Sequence, residues 1–378
     1  MEKDTIEVSV VIPTLNEEKT IGRCIEKIKK VFEEHNIKGE IIVADNSTDR
    51  TPEIARSLGA KVVTPDRRGY GYAYIYGFRY ARGKYIVMAD GDDTYDFLEM
   101  PKLLEPLMKG EADLVIGSRL KGKILPGAMP KLHQYIGNPL LTWILNLFFK
   151  VGVSDAHCGF RAFTREALKK MNLRCPGMEF ASEMLIEAKR KGLRIKEVPI
   201  TYYPREGESK LRSFSDGWRH LKFMLIQAPD WLYFVPSGIF LIIGALLLTL
   251  GFLKVNIGVV PGTYSMVAGS LLVLLSYQIA SFGIFTKLYG VKNGYFKDGR
   301  ITKWIKEHLT LERGVLIGVV LFMLGLIYVL YLLNIYLSKG YAKLPFRGEY
   351  MVGLTLIVAG LQTVFSSFIV STLIEGEC

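Results

Sequence analysis

Residues 84–93 read Lys-Tyr-Ile-Val-Met-Ala-Asp-Gly-Asp-Asp, and this stretch decides the fold. Its apolar run has the length and composition of a strand that is buried on both faces of a parallel sheet. The run ends in Asp90, Asp92 and Asp93, whose carboxylates repel one another unless a cation lies between them. Hard divalent cations such as Mg²⁺ and Mn²⁺ bind carboxylate and phosphate oxygens. The alternative interpretation is an acidic surface turn.

Strand-like and helix-like segments alternate around this stretch. Apolar, β-prone runs predict strands at residues 8–12, 40–44, 61–63, 113–117 and 193–200, and helices are predicted at 18–34, from 51 onward and at 70–82. The alternation predicts an α/β fold with a mostly parallel sheet. Right-handed crossovers bring the carboxyl ends of parallel strands to one edge, where ligands bind. The side chains expected just past these strand ends are Asp45, Asp49, Asp90, Asp92 and Arg119.

The composition indicates a soluble part joined to a membrane part. The 378 residues are 49% hydrophobic, yet 22% are charged, and the formal net charge is +11. A charge of this sign fits nucleic acid, an anionic lipid surface or phosphate-bearing substrates.

The four cysteines form no Cys-x-x-Cys pair, so neither a zinc site nor a disulfide scaffold is indicated. The amino terminus shows no signal-peptide pattern, so we expect the first half of the chain to stay in the cytoplasm.

Four apolar stretches in the second half are long enough to cross a bilayer, at about residues 232–253, 263–286, 315–337 and 350–374. Of the three loops between these stretches, the one between the second and third carries the most basic residues, so the positive-inside rule places it and both termini in the cytoplasm. This distribution argues against nucleic-acid binding. We expect a catalytic domain at 1–215, an amphipathic interfacial linker at 216–231 and a membrane domain at 232–378. The alternative interpretation is a set of buried core helices.

Cations at the predicted sheet edge suggest that the substrate carries phosphates. Arg68, Arg119, Arg205 and Lys210 lie in loops near this edge, where they are available to oxyanions. A metal ion and several cations together fit a nucleotide diphosphate. The sequence lacks both the P-loop motif and the dinucleotide-binding glycine motif, which argues against those nucleotide-binding folds.

The apolar segment at 140–149 is too short to span a bilayer and leaves two interpretations open, an interfacial helix or a core helix.

Seven motifs resemble those of known glycosyltransferases. Four resemble GT-A glycosyltransferases of family 2, namely Val-Ile-Pro-Thr-Leu-Asn-Glu at 11–17, Val-Ala-Asp-Asn-Ser-Thr-Asp at 43–49, Asp-Gly-Asp at 90–92 and Gly-Ser-Arg at 117–119. Three are similar to the polyprenyl-phosphate sugar synthases, which include the dolichyl-phosphate mannose and glucose synthases, namely Ser-Asp-Ala-His-Cys-Gly-Phe-Arg-Ala-Phe at 154–163, Glu-Val-Pro-Ile at 197–200 and Arg-Glu-Gly-Glu-Ser-Lys-Leu at 205–211. The resemblance covers about residues 1–230.

The resemblance implies a GT-A fold and a role for individual residues. Pro13 and Glu17 would contact the base and ribose of a nucleotide sugar, and Asp45 its base. Asp90 and Asp92 would hold Mg²⁺ or Mn²⁺ on the diphosphate. The cations assigned to the phosphates are Arg119, which would touch the acceptor phosphate, and Arg205 and Lys210, which would close over the diphosphate.

The chain departs from the family pattern at two places. The dolichyl-phosphate mannose enzymes carry a metal-binding glutamine where this chain has Thr94, so the metal shell is expected to differ. Their acceptor loop carries an arginine where this chain offers Lys131, His133 or Gln134.

Two further residues near each other in the sequence are Asp155 and His157. A polyprenyl phosphate is already an anion, so no strong general base is required. We therefore expect Asp155 to position groups or bind the sugar, with a purely structural role as the alternative. His157 is expected to be a core histidine whose hydrogen bonds are satisfied.

The expected activity is an inverting, metal-dependent transfer of a hexose from a nucleotide sugar to dolichyl or polyprenyl phosphate. Overall likeness favours UDP-glucose or UDP-N-acetylglucosamine over GDP-mannose as the donor. Two alternatives are a processive membrane polysaccharide synthase and a non-enzymatic membrane protein that binds or moves lipid-linked sugar. The expected partners are the nucleotide sugar, the lipid phosphate and the membrane, and a homo-oligomer is left open.

Overall fold

The structure is a computed structural model that describes residues 6–206, 213–256, 258, 260–296, 298–339 and 347–375. The chain divides into two compact units, the first ending at Met224 and the second beginning at Leu225. The first contains a seven-stranded sheet with helices packed on it, and the second contains long apolar helices.

The strands of the first unit are β1 (Val8–Thr14), β2 (Gly39–Asp45), β3 (Lys61–Val63), β4 (Tyr85–Met88), β5 (Leu114–Ile124), β6 (Arg161–Thr164) and β7 (Ile195–Tyr202). Its helices are α1 (Ile21–Glu34), α2 (Thr51–Ser57), α3 (Tyr70–Phe78), α4 (Met100–Met108), α5 (Asn138–Phe149), α6 (Arg165–Lys170) and α7 (Phe180–Arg190). Helix α8 (Ser213–Gln227) carries the chain into the second unit.

The sheet order is β3-β2-β1-β4-β6-β5-β7. All neighbouring pairs are parallel except those of β6, which runs antiparallel to both β4 and β5. The predicted mostly parallel α/β sheet is therefore confirmed, with β6 as the strand that the sequence did not reveal. All four residues of β4 are buried, as expected of a strand covered on both faces.

The fifth strand is longer than predicted. It was expected to end near residue 117, but β5 continues to Ile124, with an irregular register between Ser118 and Lys123 opposite β7. Arg119 therefore lies within the strand, not in a loop after it. Pairing with β7 stops after Ser118 and resumes at Lys123, so Arg119 lies in a β-bulge, an irregularity that can direct a side chain toward a site.

Among its described residues, the second unit contains four helices that are long and apolar enough to cross a membrane. They are α9 (Val235–Leu253), preceded by a π-helical turn at Asp230–Phe234, α10 (Thr263–Lys292), α12 (Leu311–Ser338) and α13 (Glu349–Glu375), and the short α11 (Arg300–His308) lies between the second and third. Glycines allow α12 and α13 to approach closely, since a Cβ on Gly318 would lie 2.7 Å from the carbonyl oxygen of Gly360.

Helix α3 packs tightly because of Gly71. A Cβ at this position would lie 2.2 Å from the carbonyl oxygen of Cys175 and 2.6 Å from the Cβ of Phe180. We expect Gly71→Ala to lower the free energy of unfolding by about 1–3 kcal/mol through overpacking. The measurement is the apparent Tm of the full chain in detergent. Gly22→Ala in α1 is the control, because its Cβ would meet nothing closer than 3.6 Å, and an unchanged Tm in Gly71→Ala would contradict the prediction.

Candidate active site

The carboxylates of Asp90 and Asp92 lie at the carboxyl end of β4. Asp90 accepts hydrogen bonds from the phenol groups of Tyr74, at 3.2 Å, and Tyr70. Burial, followed by the negative charge of Asp92, raises the pKa of Asp90 to about 7. A negative charge on Asp90 beside Asp92 is therefore unfavourable without a cation, as expected where a cation binds.

Asp92 is oriented by its neighbours. The hydroxyl of Thr94 donates to Oδ1 of Asp92 at 2.7 Å, and the backbone N–H of Thr94 donates to the same oxygen at 3.2 Å. The other oxygen, Oδ2, lies 3.3 Å from Nη1 of Arg205, whose Nη2 donates to Glu17 at 2.6 Å. Thr94, at the place of the family's glutamine, thus positions a carboxylate in this structure.

The residues present fit a divalent cation that is completed by substrate. The donor atoms of Asp90 and Asp92 are all oxygens, which Mg²⁺ and Mn²⁺ prefer. Within the described residues no group of three or more His, Cys, Asp or Glu side chains could hold a metal ion. The remaining coordination positions would therefore go to phosphate oxygens and water, the usual arrangement for Mg²⁺ with a nucleotide.

The third aspartate, Asp93, binds partners on a different element. Asp93 adopts a left-handed backbone conformation with φ of 58°. Its carboxylate lies 3.3 Å from Nε of Arg23 and 2.8 Å from Nζ of Lys27, both on α1. Asp93 is therefore neutralised by helix α1, and the three adjacent aspartates do not form one cluster.

A short segment at residues 203–206 lies beside the carboxylates. Glu206 pairs with Arg23 at 2.8 Å, and Arg205 pairs with Asp92 and Glu17. With the side chains of α1, this segment lines a cavity of about 350 Å³. Lys210, expected to bind the diphosphate, lies outside the described residues.

The residues expected to bind the base lie at the ends of β1 and β2. The carboxylate of Asp45 is buried and accepts hydrogen bonds from the hydroxyls of Thr14, at 2.7 Å, and Ser47. Pro13 lies in β1 beside this pair, and Arg68 is exposed in the loop before α3. The structure brings Pro13, Glu17 and Asp45 to one edge, while Arg68 has no side-chain hydrogen bond or ion pair within the described residues.

A second centre is the ion pair between Arg119 and Asp155. Nε and Nη2 of Arg119 donate to the two oxygens of Asp155 at 2.7 and 2.8 Å, and the backbone N–H of Arg119 adds a bond of 3.0 Å. Asp155 is fully buried and Arg119 is 7% exposed. Because both oxygens of Asp155 are bound to Arg119, this carboxylate fixes the guanidinium and is not free to act as a base.

Glu197 on β7 holds the segment that carries Asp155. Its Oε1 accepts from the backbone N–H groups of Ser154, at 2.9 Å, and Asp155, at 3.0 Å, and from the Ser154 hydroxyl. Its Oε2 lies 2.6 Å from Nζ of Lys121. Sequence reasoning missed this role, because the motif around Glu197 resembles the family but carries no chemical signature of its own.

His157 is not the satisfied core histidine that was expected. Both ring nitrogens are buried and have no hydrogen-bond partner among the residues that the structure describes. The ring packs edge-on against His220 of α8, at 4.4 Å between centroids, and Nδ1 of His220 bonds to the hydroxyl of Ser182. Burial, followed by the charges of His220 and Arg119, holds the pKa of His157 well below its usual range, so the ring is neutral.

The residues predicted for the acceptor loop are not joined to Arg119. Lys131 is exposed and His133 begins a π-helical turn at His133–Gly137. Among the described residues, neither side chain forms a hydrogen bond or ion pair. Of the three residues predicted to meet the acceptor phosphate, only Arg119 lies in the buried centre.

Two segments of the chain match known families. Residues 9–171 match glycosyl transferase family 2, and residues 284–374 match the glycosyltransferase family 2 C-terminal transmembrane region. The low-salt glycan biosynthesis hexosyltransferase Agl6 of Haloferax volcanii is 49% identical over 369 residues, which cover 97% of this chain and 89% of that protein. The chain belongs to glycosyltransferase family 2.

Further comparisons support the assignment of this chain to glycosyltransferase family 2. The dolichyl-phosphate hexose transferase of Haloferax volcanii is 35% identical over 213 residues, covering 56% of this chain and 89% of that protein. Among solved structures, glucosyl-3-phosphoglycerate synthase from Mycobacterium tuberculosis, in complex with Mn²⁺, UDP-glucose and phosphoglyceric acid, superposes with a TM-score of 0.50 at 27% identity, covering 59% of this chain and 80% of that chain. The first unit of the glycosyltransferase is a GT-A fold, as predicted.

The buried ion pair gives a test of the second centre. We expect Asp155→Asn to reduce glycosyl transfer strongly and to lower the free energy of unfolding by about 3–5 kcal/mol, since it leaves a buried guanidinium without its counter-charge. The measurements are transfer rate and apparent Tm.

Asp113→Asn is the matched control. Asp113 forms a similar pair with Arg194, at 3.0 Å, but Arg194 is 58% exposed, so the change should cost less than about 1 kcal/mol. Equal effects of the two substitutions would contradict the role given to Asp155.

Proposed function

We propose that this glycosyltransferase transfers a hexose from a nucleotide diphosphate sugar to dolichyl or polyprenyl phosphate, with inversion at the anomeric carbon. The observation that carries the proposal is the presence of two centres, an anionic one at Asp90 and Asp92 and a buried ion pair in which Asp155 orients the guanidinium of Arg119. The first suits a metal-bound diphosphate and the second an acceptor phosphate. The dolichyl-phosphate hexose transferase among its relatives supports the same acceptor.

The acceptor phosphate explains why a free base is unnecessary. In the proposed reaction, the bond from the anomeric carbon to the diphosphate oxygen breaks, and its electron pair leaves with the nucleoside diphosphate. A phosphate oxygen of the acceptor forms the new bond on the opposite face. Because this oxygen is already anionic, no proton has to be removed, which fits a site in which both oxygens of Asp155 are bound to Arg119.

The donor site is built to hold the leaving diphosphate. Asp90 and Asp92 would hold Mg²⁺ or Mn²⁺, which supplies positive charge to the departing diphosphate. Arg205 already lies beside Asp92, and its guanidinium suits the bidentate recognition of phosphate. Glu17 and Asp45 lie at the same edge for the ribose and base. UDP-glucose or UDP-N-acetylglucosamine is our proposed donor, a choice that the UDP-glucose complex of the mycobacterial synthase supports.

An exposed apolar surface in the first unit supports a lipid acceptor. It is formed by large side chains that are at least half exposed, namely Leu132 just before the π-helical turn, Tyr135 and Ile136 within it, and Leu140 and Trp143 on α5. Apolar patches of this kind on a catalytic unit mark an interaction with lipid or protein. Of the two interpretations left open for residues 140–149, this exposure favours the interfacial helix.

A processive synthase is less well supported. Those enzymes carry a Gln-x-x-Arg-Trp motif, and this chain has Asp230 in place of the arginine. In the structure the Asp230 carboxylate pairs with Nζ of Lys287, at 2.5 Å, within the membrane unit. Asp230 therefore serves a structural ion pair there.

The decisive experiment is a donor screen with the full chain. Membranes that contain the protein are mixed with labelled UDP- and GDP-sugars, Mn²⁺ and polyprenyl phosphate. We expect a labelled lipid product that partitions into chloroform, and we expect it with a UDP-sugar. If no donor gives such a product, the proposed function is wrong.

The roles of the adjacent aspartates can be separated. We expect Asp92→Asn to reduce transfer at least about 100-fold, because it removes a ligand of the cation. It should also weaken Mn²⁺ binding in the presence of UDP, measured by calorimetry. Asp93→Asn is the control, since Asp93 is engaged by α1, and it should retain most activity and Mn²⁺ affinity. Near-normal values in Asp92→Asn would remove the metal assignment.

We also propose that both termini and the basic loop between the second and third spans face the cytoplasm. The expectation is that a cysteine at position 293, in Asn293→Cys, stays unlabelled by a membrane-impermeant maleimide in intact cells. A cysteine in the loop after the first span, in Asn256→Cys, should be labelled. Both asparagines are exposed, and the wild-type protein gives the background of its native thiols. The reverse labelling pattern would overturn the orientation.

A further inference from the structure

Tyr202, the last residue of β7, contacts both centres of the candidate site. The guanidinium carbon of Arg119 lies 5.1 Å from the centre of the Tyr202 ring, within the range of a cation–π interaction. The phenol group of Tyr202 also interacts with the side chain of Thr94, whose hydroxyl holds Asp92. One aromatic side chain is therefore shared by the buried ion pair and the carboxylates.

The ring of Tyr202 is fixed by the backbone and by a second ring. Tyr202 forms an isolated antiparallel bridge with Tyr95, and the next N–H, that of Tyr203, donates to the carbonyl of Thr94 at 2.9 Å. The two bridged tyrosine rings lie 5.3 Å apart between centroids. The hydroxyl of Tyr95 accepts a hydrogen bond of 2.8 Å from the backbone N–H of Gly159. Since its neighbours are themselves bonded, the Tyr202 ring keeps one orientation toward the guanidinium.

The guanidinium of Arg119 has donors that the ion pair does not use. Two of its five N–H bonds go to the carboxylate oxygens of Asp155. The other three have no partner among the residues that the structure describes. Asp155 thus holds one edge of the guanidinium plane, and the Tyr202 ring lies against one face. The remaining edge is left for an oxyanion, which suits the recognition of a phosphate.

We propose that Tyr202 is a positioning residue for the proposed glycosyl transfer, because its ring orients the guanidinium of Arg119 toward the acceptor phosphate. The ion pair with Asp155 fixes the guanidinium within its own plane, whereas the ring restricts the tilt of that plane. The inference rests on the proposed function, since it takes Arg119 as the group that meets the acceptor phosphate.

Binding without turnover tests the role of the ring. Calorimetry of the full chain in detergent gives the dissociation constant of geranylgeranyl phosphate, a short polyprenyl phosphate, with no donor sugar present. We expect Tyr202→Leu to raise this constant about 3- to 30-fold, the range of a cation–π contact that is largely shielded from water. Tyr202→Phe keeps the aromatic face and should stay within about twofold of the wild type.

Fluorination separates the charge of the ring face from its shape. A trifluorinated phenylalanine at position 202 fills nearly the same space as phenylalanine, but its face carries less electron density and attracts a cation less. We expect its dissociation constant to exceed that of Tyr202→Phe about 2- to 10-fold. A ring that only fills space gives equal constants in these two variants, and that result would reject the proposal.

Tyr76→Leu is the matched control. The Tyr76 ring also faces an arginine, with Cζ of Arg79 at 5.6 Å, but both residues belong to the region of α3 and contact neither Asp155 nor Arg119. This variant should bind geranylgeranyl phosphate as the wild type does. Retained binding of UDP with Mn²⁺ and the apparent Tm identify any variant that has misfolded, and if Tyr202→Leu misfolds, the fluorinated ring decides.

The outcomes distinguish this inference from the proposed function. If the wild type neither binds geranylgeranyl phosphate nor makes a lipid product, the acceptor role of Arg119 is wrong and the inference fails with it. If the wild type binds and a folded Tyr202→Leu binds equally well, only the inference is wrong. An equal loss in Tyr202→Leu and Tyr202→Phe assigns the effect to the hydroxyl and contradicts the role of the ring.

Discussion

Repulsion between two carboxylates at the end of β4 constrains the arrangement of the proposed donor site. Asp90 and Asp92 are held close together by the chain, and burial prevents water from screening them. Each is fixed by hydroxyl donors, the tyrosines of α3 for Asp90 and Thr94 for Asp92. The positive charge beside Asp92 is the guanidinium of Arg205. A divalent cation that binds Asp92 would compete with this guanidinium for the same carboxylate, which couples metal binding to the position of the 203–206 segment.

The proposed acceptor side depends on a chain of contacts that fixes one guanidinium. Lys121 pairs with Glu197, Glu197 holds the backbone of Ser154 and Asp155, and Asp155 holds Arg119. Each contact uses a charged group or a backbone N–H, so the geometry is specified by directional bonds. A guanidinium fixed in this way needs little reorganisation to meet a phosphate, and that preorganisation is how electrostatic stabilisation acts most effectively.

The sequence predicted the parts of the fold that depend on local pattern. Strands β1 to β4 contain short apolar runs, and α1 has a regular apolar stripe, so each could be located from the sequence pattern. Strand β6 was missed because Arg161–Thr164 is short and its apolar residues, Ala162 and Phe163, lack the β-branched pair that marked β3. The position of Arg119 within β5 was also missed, since pairing with β7 is a long-range property.

The candidate site, like the fold, could be predicted from the sequence only in part. The motifs indicated which residues gather at the sheet edge, but partner choice among them depends on the folded structure. Asp93 turned to α1 because its backbone adopts a left-handed conformation. His157 was expected to be satisfied, yet it packs against His220, a residue distant in sequence. Glu197 acts through a segment about 40 residues earlier in the chain, and no local pattern reports such a contact.

The antiparallel direction of β6 has a consequence for how the site is assembled. Since β6 runs against its neighbours, Arg161 at its start lies beside Met88 at the end of β4. The segment before β6, which includes Asp155, therefore reaches the same edge as the segments that follow β1, β2 and β4. The groups proposed for the donor and for the acceptor thus come from separate stretches of chain. These stretches pack closely, since a Cβ on Gly159 would lie 3.1 Å from Oδ2 of Asp90, so a substitution on one side is expected to disturb the other.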